Sequence, residues 1–174
     1  MIKSILPLMT NDEILYLVNF ITINTVMLEI GGGNSTIFLS KIVRKLTTIE
    51  HNLEWSKIIK DKLKNIDTNW ELHVIEPNFK QSHVFQPAQK GQFDNYVKFI
   101  SKLPDNEFDV ILIDGRDRVR CSIECIPKLK KDGILLIHDF WNRKRYHTLL
   151  EENKLELIDR TNPKTNTLAA FKKI

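Results

Sequence analysis

Cysteines and long apolar runs are scarce in this sequence, and both scarcities exclude classes of protein. The 174 residues include two cysteines, Cys121 and Cys125, whose spacing fits neither a zinc site nor a disulfide framework. They would share one helix face, so we expect reduced thiols packed in the interior. No apolar run approaches the roughly 20 residues that a membrane span needs. The N-terminal MIKSILPLMTNDE also has too short an apolar segment for a secretory signal. These absences predict a soluble, intracellular protein of the cytoplasm.

Internal repeats, low-complexity tracts and domain boundaries are absent as well. The chain is 42% hydrophobic with a formal net charge of +4, which suits a folded protein rather than a disordered one. A chain of this length can bury a substantial core. We therefore predict one domain that covers residues 1–174.

Strand-like apolar runs alternate with helix-like segments along the chain. The strand-like runs are TVMLEI, LTTIEH, WELHVIEP, FDVILIDG and GILLIHDF, and helix-like segments such as STIFLSKIVRK, LEWSKIIKDKLK and CSIECIPKLK follow most of them. This alternation is typical of a parallel sheet with helices on both faces. The C-terminal KLELIDRTNPKTNTLAAFKKI indicates a final hairpin. We predict an α/β, Rossmann-like, doubly wound sheet of seven strands, mostly parallel, that ends in this antiparallel hairpin.

Two further segments flank or interrupt the alternation. In the N-terminal helical segment, residues 1–24, Thr10 or Asn11 can cap a helix through EILYLVNF, with Glu13 in its first turn. We expect this helix to pack against the sheet edge or the mouth of a ligand site. The connection at residues 77–96 is long and polar before a helix resumes near Asp94. Such connections are often lids or substrate loops.

The stretch MLEIGGGNSTIF places three glycines at the end of the first predicted strand. Glycines there let the backbone turn sharply and approach a ligand, and the N–H groups of the next helix favour polar or negative groups. The spacing of Gly31, Gly33 and Thr36 is close to a dinucleotide-binding fingerprint, and Glu50 ends the second strand, where carboxylates bind ribose hydroxyls. A nucleotide-like ligand is therefore predicted.

Two features favour S-adenosylmethionine over NAD as that ligand. Glu29 precedes the glycines, where a carboxylate would repel a pyrophosphate but suits a sulfonium and an amino group. The predicted antiparallel hairpin also favours S-adenosylmethionine.

The sequence resembles the class I S-adenosylmethionine-dependent methyltransferases in LEIGGGNS and TTIEHN, and the resemblance covers about Val26 to Ile174. It implies that Glu29 and the glycine segment hold the methionine part and that Glu50 binds the ribose. Ser35 and Thr36 would cap the following helix. His51 and Trp55 could flank the adenine or simply pack, and Phe93 or Asp94 could serve the adenine instead. The full set of expected cofactor-binding residues is Glu29, Gly31, Gly32, Gly33, Asn34, Ser35, Glu50, His51 and Asp114.

Three polar residues stand at the ends of two later predicted strands and are the candidates for catalysis. Asp114 ends FDVILIDG, and His138 and Asp139 end GILLIHDF. Methyl transfer to a hydroxyl needs removal of its proton, by a base such as His or Asp or with help from a divalent cation. Asp114 and Asp139 could hold Mg²⁺ or Mn²⁺ in a layout similar to that of catechol O-methyltransferase. Phe140 follows Asp139 where those enzymes have Asp or Asn, so both routes stay open.

The stretches IDGRDRVRC and GILLIHDFWNRKRY resemble small methyltransferases of glycan modification, including sugar-methylating domains of large algal viruses. This resemblance implies a sugar, glycan or nucleotide-sugar hydroxyl as acceptor, in the host cytoplasm if the protein is viral. Arg116, Arg118 and Arg143 would grip a polyhydroxyl or anionic acceptor, because arginine binds phosphate and carboxylate bidentately. Alternatively, some of these arginines pair with nearby acids, for which Asp117, Asp132 and Glu124 are candidates.

Two other functions compete with O-methylation of a small molecule. One is RNA methylation, which is disfavoured because DGRD replaces an NPPY-type signature after the fourth strand and no aromatic stacking series is present. The other is a cofactor-binding interaction protein without activity, which the acids at three strand ends argue against. A homo-oligomer is compatible with the sequence.

Overall fold

The computed structural model describes residues 6–79, 88–152, 154–158 and 164–174. Seven strands form one sheet in the order β3-β2-β1-β4-β5-β7-β6. The strands are β1 (Val26–Ile30), β2 (Lys45–Glu50), β3 (Trp70–Val74), β4 (Phe108–Ile113), β5 (Leu129–Ile137), β6 (Leu155–Leu157) and β7 (Ala169–Lys173). The first five pair in parallel, and β7 lies antiparallel to both β5 and β6. The predicted sheet and its terminal hairpin are confirmed.

Five helices flank this sheet. They are α1 (Asn11–Val18), α2 (Asn34–Leu39), α3 (Leu53–Leu63), α4 (Asp94–Ser101) and α5 (Arg118–Cys125), with 3-10 turns at Ile126–Lys128 and Lys144–Glu151. Among the described residues, no helix has the length and apolarity to cross a membrane. Of the predicted loop at 77–96, residues 80–87, with His83, lie outside the described residues.

The two faces of the sheet carry separate apolar cores because strand side chains alternate between faces. In β1, Val26, Leu28 and Ile30 pack with α4 and α5, whereas Met27 packs with α1 and α2. Cys121 and Cys125 are free thiols buried in the first of these cores, as expected. A third cluster joins α2 to α3. Helices therefore pack against both faces of the sheet.

Two helices end earlier than the sequence pattern predicts. The α2 helix stops at Leu39 because the Arg44 and Lys45 N–H groups bond to the Thr25 carbonyl, which turns the chain into β2. The α5 helix stops at Cys125 because Pro127, which has no N–H, follows in a 3-10 turn. As a result, β5 begins at Leu129, before the predicted GILLIHDF.

The strand order reverses between β1 and β4, which makes their carboxyl ends the switch point of the sheet. Ligands of doubly wound sheets bind in the crevice outside such a point. Gly31 follows β1 there, and Asp114 and Gly115 follow β4. The Asp114 N–H donates to the Ile30 carbonyl at 2.8 Å, so the two segments leave the sheet side by side.

Candidate active site

A cavity of about 490 Å³ opens at this switch point. Its volume lies in the range of small-molecule sites, roughly 300–1,000 Å³. One side comes from the glycine segment, the end of β2 and the start of α3, and the opposite side comes from the segments after β4 and β5. The lining residues are Leu8, Met9, Gly31, Gly32, Gly33, Asn34, Ser35, Glu50, His51, Asn52, Trp55, Ala88, Asp114, Gly115, Arg116, Asp117, Arg118, Arg143, Arg145 and Tyr146.

Gly31 and Gly32 are required by the packing of the protein itself. Gly31 has a φ of +96°, and a Cβ there would lie 2.4 Å from the Cα of Gly115. A Cβ on Gly32 would lie 3.0 Å from side-chain atoms of Ile59 and Thr48. These two glycines allow β1 and β4 to meet and α3 to pack beneath the loop.

Gly33 differs from its two neighbours because its backbone is extended, with a φ of −175°. A Cβ there would contact only Trp55 and Ser35, at 3.6 and 3.8 Å, which is ordinary van der Waals spacing. Since Gly33 lines the cavity, an added side chain would occupy ligand space without disturbing the fold. The bare backbone at Gly33 is the cradle that a ligand would use.

Glu29 lies beneath the glycine segment and does not line the cavity. Its side chain is fully buried, and its Oε2 accepts hydrogen bonds from the Thr36 and Thr48 hydroxyls at 2.6 and 2.9 Å. Burial raises the pKa of Glu29 to about 7, against hydroxyl contacts that lower it. Glu29 therefore braces the loop from below, and its expected role in holding the cofactor stays a prediction.

Thr36 also differs from the expectation that it caps α2. The N-cap is Gly33, and the Thr36 hydroxyl accepts from the Gly33 N–H at 2.9 Å while it donates to Glu29. Ser35 lies in the first turn of α2 rather than at its cap and lines the cavity. Thr36 thus links the buried carboxylate to the residue that presents its backbone to the ligand.

Glu50 presents its carboxylate at the end of β2, where it also organises the loop. Its Oε2 accepts from the Gly32 N–H at 2.8 Å, and its Oε1 accepts from the Asn52 N–H at 2.7 Å. The His51 ring nitrogen lies 2.9 Å from the same Oε1. A carboxylate has about four acceptor positions, so capacity for ribose hydroxyls remains.

Of the adenine candidates, Trp55 and His51 line the cavity, whereas Phe93 and Asp94 do not. The Trp55 indole N–H donates to the Gly32 carbonyl at 2.9 Å, which fixes the ring beside the glycine segment. Asp94 instead forms a salt bridge with Arg120 at 2.8 Å. The start of α3 therefore offers the aromatic surface at this end of the cavity.

Asp114, His138 and Glu13 form a row in which the imidazole lies between two carboxylates. The Nδ1 of His138 is 2.8 Å from the Asp114 Oδ1, and its Nε2 is 3.5 Å from the Glu13 Oε2. Asp114 lines the cavity, but His138 and Glu13 do not. The His138 ring contacts Asp114, so it can act through that acid, and its expected catalytic role stays a prediction.

The surroundings of His138 favour its charged form. Although burial opposes the charge, the hydrogen bond to Asp114 and the charges of Asp114, Asp139 and Glu13 together raise the pKa of His138. The imidazole therefore keeps its second proton to higher pH than an ordinary histidine does. Neutral His138, able to take up a proton, forms only above that raised value.

Arg118 lies between Asp114 and Asp139, the two acids that the sequence analysis considered as ligands of a metal ion. Its guanidinium lies 3.0 Å from the Asp114 Oδ1 and 3.3 Å from the Asp139 Oδ2, and it also donates to the carbonyls of Gly115 and His138. Two acids already joined by one guanidinium do not fit a Mg²⁺ or Mn²⁺ site. The described residues contain no cluster of three acid, His or Cys side chains suited to a metal. Arg118 thus joins the two acids and also lines the cavity, so its expected contact with the acceptor stays a prediction.

Asp139, the third residue expected to act in catalysis, has its carboxylate paired with two arginines. It does not line the cavity, and its Oδ2 accepts from Arg143 at 2.7 Å in addition to Arg118. Burial alone would raise its pKa, but the charges of Arg118, His138 and Arg143 hold the pKa of Asp139 below its usual value. The Asp139 carboxylate is therefore engaged by two arginines, and its expected catalytic role stays a prediction.

Several arginines have acidic partners other than those expected from the sequence. Asp117 pairs with Arg120 at 3.1 Å, and Asp132 pairs with Lys172 at 2.9 Å.

Arg116 places its guanidinium 5.5 Å from the centroid of the Phe93 ring. Arg116 and Arg143 both line the cavity, as expected for acceptor-binding residues.

Sequence reasoning missed the functional setting of Glu13, Arg145 and Tyr146. The capping pattern at Thr10 assigns Glu13 a purely local role, and nothing local reveals that it reaches His138 from another element. Arg145 is visible in the sequence as part of the basic run RKR, and this run was the signal that could have placed it at the site. Tyr146 carries no sequence signal beyond its position after that run.

Comparison with known proteins places this chain in a family and its fold in a class. Residues 28–140 match a family described as a methyltransferase domain, which is more than half of the chain. A methyltransferase-like protein from Silicibacter pomeroyi superposes with a TM-score of 0.75 at 22% identity, over 95% of this chain and 87% of that one. A candidate methyltransferase from Streptococcus mutans, solved with S-adenosylhomocysteine (SAH), gives 0.62 at 14% identity, over 93% and 98%.

A SAM-dependent O-methyltransferase from Thermotoga maritima gives a TM-score of 0.65 at 13% identity, over 94% of this chain and 64% of that one. No curated protein matches the chain. The sheet order, the glycine segment at its switch point and the family match define a class I methyltransferase fold. The chain belongs to the methyltransferase domain family.

Proposed function

We propose that this protein transfers the methyl group of S-adenosylmethionine to a hydroxyl of a sugar, glycan or nucleotide sugar. The observation that carries the O-methylation step is the 2.8 Å contact between His138 and Asp114, at the cavity wall beside the glycine segment. The family match supports methyl transfer, and the polar lining of the cavity supports a hydrophilic acceptor.

The cofactor would lie against the glycine segment. Gly33 offers bare backbone there, Asn34 and Ser35 open the following helix, and Glu50 offers acceptor positions for ribose hydroxyls. Trp55 and His51 flank the same end of the cavity. When bound, S-adenosylmethionine supplies an electrophilic methyl group on a sulfonium.

Asp114 is the acid that can contact the acceptor, since it lines the cavity and the other two candidates do not. We infer that its carboxylate takes the proton of the acceptor hydroxyl as this oxygen accepts the methyl group, whose bond to the sulfonium sulfur breaks to leave S-adenosylhomocysteine. Neutral His138 with its proton on Nε2, the nitrogen that faces Glu13, can then hold the transferred proton on Nδ1. His138 is therefore a positioning and proton-holding residue, and it faces the acceptor only through Asp114.

A methyl-transfer screen tests this function directly. Labelled S-adenosylmethionine is supplied with sugars, nucleotide sugars, oligosaccharides and RNA, each with and without EDTA. We expect methylation in the sugar-containing set and no effect of EDTA, because Arg118 rather than a metal joins the two acids. Methylation of RNA alone, or activity that EDTA stops and Mg²⁺ restores, would contradict the proposal.

Glu50→Ala tests the cofactor part separately. It removes charge-assisted hydrogen bonds to the ribose and should weaken S-adenosylmethionine binding by roughly 1.5–3 kcal/mol. Because Glu50 also accepts from the Gly32 N–H, Glu50→Gln is the matched variant that keeps a side-chain oxygen. Calorimetry that shows unchanged affinity in Glu50→Ala would reject this placement of the ribose.

A further inference from the structure

Four arginines line the cavity on the side away from Glu50, and they differ in how their charges are balanced. Arg118 is paired with Asp114 and Asp139, and Arg143 shares Asp139. Within the part of the chain that the structure describes, Arg145 forms no salt bridge with a carboxylate. Arg145 lines the cavity, and no ion pair among the described residues balances its positive charge.

Aromatic rings lie against two of these guanidiniums. The Arg145 guanidinium lies 5.1 Å from the centroid of the buried Tyr146 ring, and its Nη2 donates to the Tyr146 hydroxyl at 3.4 Å. Arg116 lies over the Phe93 ring at 5.5 Å. An aromatic face orients a guanidinium but leaves its net charge intact. This arrangement differs from an ordinary solvated arginine, which has no fixed position.

The positive charge accumulates at one point of the wall. Arg116 is partly buried, and burial together with the charges of Arg118, Arg145 and Arg143 lowers its pKa, against an opposing contribution from Tyr146. Guanidiniums that repel one another in this way are stabilised when an anion binds among them. The geometry and the charge thus favour the same kind of ligand.

We propose that Arg116, Arg143 and Arg145 form a subsite for a phosphoryl group of the acceptor. This inference rests on the proposed function, because it defines which hydroxyl compounds enter the cavity. A phosphoryl group carries up to two negative charges and three acceptor oxygens, so it can engage several guanidiniums at once. A single carboxylate offers one charge and fits this wall less well.

A small phosphorylated acceptor also fits better than an RNA backbone. The arginines line the same cavity as the glycine segment, and Leu8 and Met9 line it too. Proteins that bind single-stranded RNA commonly stack successive bases on exposed aromatic side chains. Here Tyr146 and Phe93 are buried and serve the arginines instead.

Calorimetric titration of the SAH-saturated protein tests the subsite without any need for turnover. The probes are pyrophosphate, inorganic phosphate, glucuronate and a short RNA, at equal ionic strength in a phosphate-free buffer. We expect pyrophosphate to bind, glucuronate to bind at least about tenfold more weakly, and Arg145→Gln to weaken pyrophosphate roughly tenfold or more. Lys144→Gln removes the same charge from the adjacent, exposed position and should change the affinity less than about twofold.

Three other results would contradict the proposed phosphoryl subsite. Absence of pyrophosphate binding, or equal losses in Arg145→Gln and Lys144→Gln, would show only a diffuse positive surface. Tighter binding of glucuronate or of RNA than of pyrophosphate would assign the wall to a carboxylate or to a nucleic acid. SAH affinity, measured first in every variant, is the test of the proposed function itself. A protein that binds SAH but no pyrophosphate therefore rejects the subsite and leaves methyl transfer standing.

Discussion

At the scale of single residues, the three consecutive glycines have different tasks. Gly31 and Gly32 are enforced by contacts within the protein, whereas Gly33 faces the cavity with room for a side chain. The distinction depends on what each missing Cβ would meet and is invisible in the sequence. It separates effects on folding from effects on ligand binding.

Gly31→Ala should therefore lower stability, whereas Gly33→Val should lower the affinity for the ligand. Gly31→Ala forces a Cβ to within 2.4 Å of Gly115 at a positive φ, and we expect a loss of about 3 kcal/mol in unfolding free energy. Gly33→Val should fold normally but bind SAH roughly tenfold more weakly or worse, because its side chain occupies ligand space. Chemical denaturation and calorimetry measure both effects. A Gly33→Val protein with normal SAH affinity would show that the ligand does not lie against this backbone.

The ionisation of His138 should control how turnover depends on pH. Its pKa is raised above the ordinary 6.5, so the neutral form that can hold the transferred proton grows in as pH rises through that higher value. We expect turnover to increase through one ionisation above pH 6.5 and His138→Gln to lose that ionisation and roughly 100-fold in kcat. Asp139→Asn, beside it but outside the cavity, should keep the ionisation. A rate that is flat with pH in the parent enzyme would exclude this role.

The same raised pKa has a consequence for stability. The charged form of His138 contributes to stability fully below its unfolded value and loses that contribution as pH rises through the folded value. The pH range in which turnover grows is thus the range in which this contact weakens. Activity and stability should therefore respond to pH in opposite directions at this residue.

At the scale of elements, the Glu13 side chain connects α1 to His138. Glu13 completes the cap of α1 by accepting from the Thr10 N–H at 2.8 Å. Its other oxygen accepts from the Thr167 N–H and hydroxyl at 2.8 and 2.5 Å, just before β7. The N-terminal helix and the C-terminal strand therefore meet behind His138.

Glu13→Gln should loosen this attachment and alter His138 at the same time. Burial opposes the charge, but the contacts with Thr167, Thr10 and His138 lower the pKa of Glu13 below 4.5. The stability that it contributes is present above pH 4.5 and is lost as pH falls through the lower folded value. We expect Glu13→Gln to cost about 1–3 kcal/mol at neutral pH and to lower the pKa of His138.

Urea denaturation and NMR titration of His138 measure these two effects. Asp12→Asn is the matched control, because Asp12 lies in the same first turn and is exposed. A Glu13→Gln protein with an unchanged His138 pKa would limit Glu13 to the helix cap and to Thr167.

At the scale of the whole molecule, ligand binding should couple the two halves of the sheet. The cavity takes residues from the end of β1, from the end of β2 and from the segments after β4 and β5. SAH at 100 times its Kd should raise the unfolding free energy by about 2.7 kcal/mol. Thermal unfolding with SAH and with NAD measures this, and stabilisation by NAD alone would reject the methyltransferase reading of the cavity.

The sequence by itself determined the fold and the edge of the sheet at which the site lies. Apolar runs that alternate with helix-like segments predict a mostly parallel sheet. They can do so because side-chain periodicity is a local property of the chain. The glycine segment, Glu50 and Asp114 were placed at strand ends for the same reason, and the structure brings them to one cavity. Local patterns also predicted a cap at Thr10 or Asn11, of which Thr10 is the one observed, and the two buried thiols.

Only the tertiary structure decided which side chains share charges and which face the ligand. Arg118 looks like a substrate ligand in the sequence, but folding places it between Asp114 and Asp139. Glu29 looks like a cofactor ligand, but strand β1 is buried on both faces and directs its carboxylate beneath the loop. Pairing between residues far apart in the chain depends on how helices and strands pack, and periodicity carries no information about it.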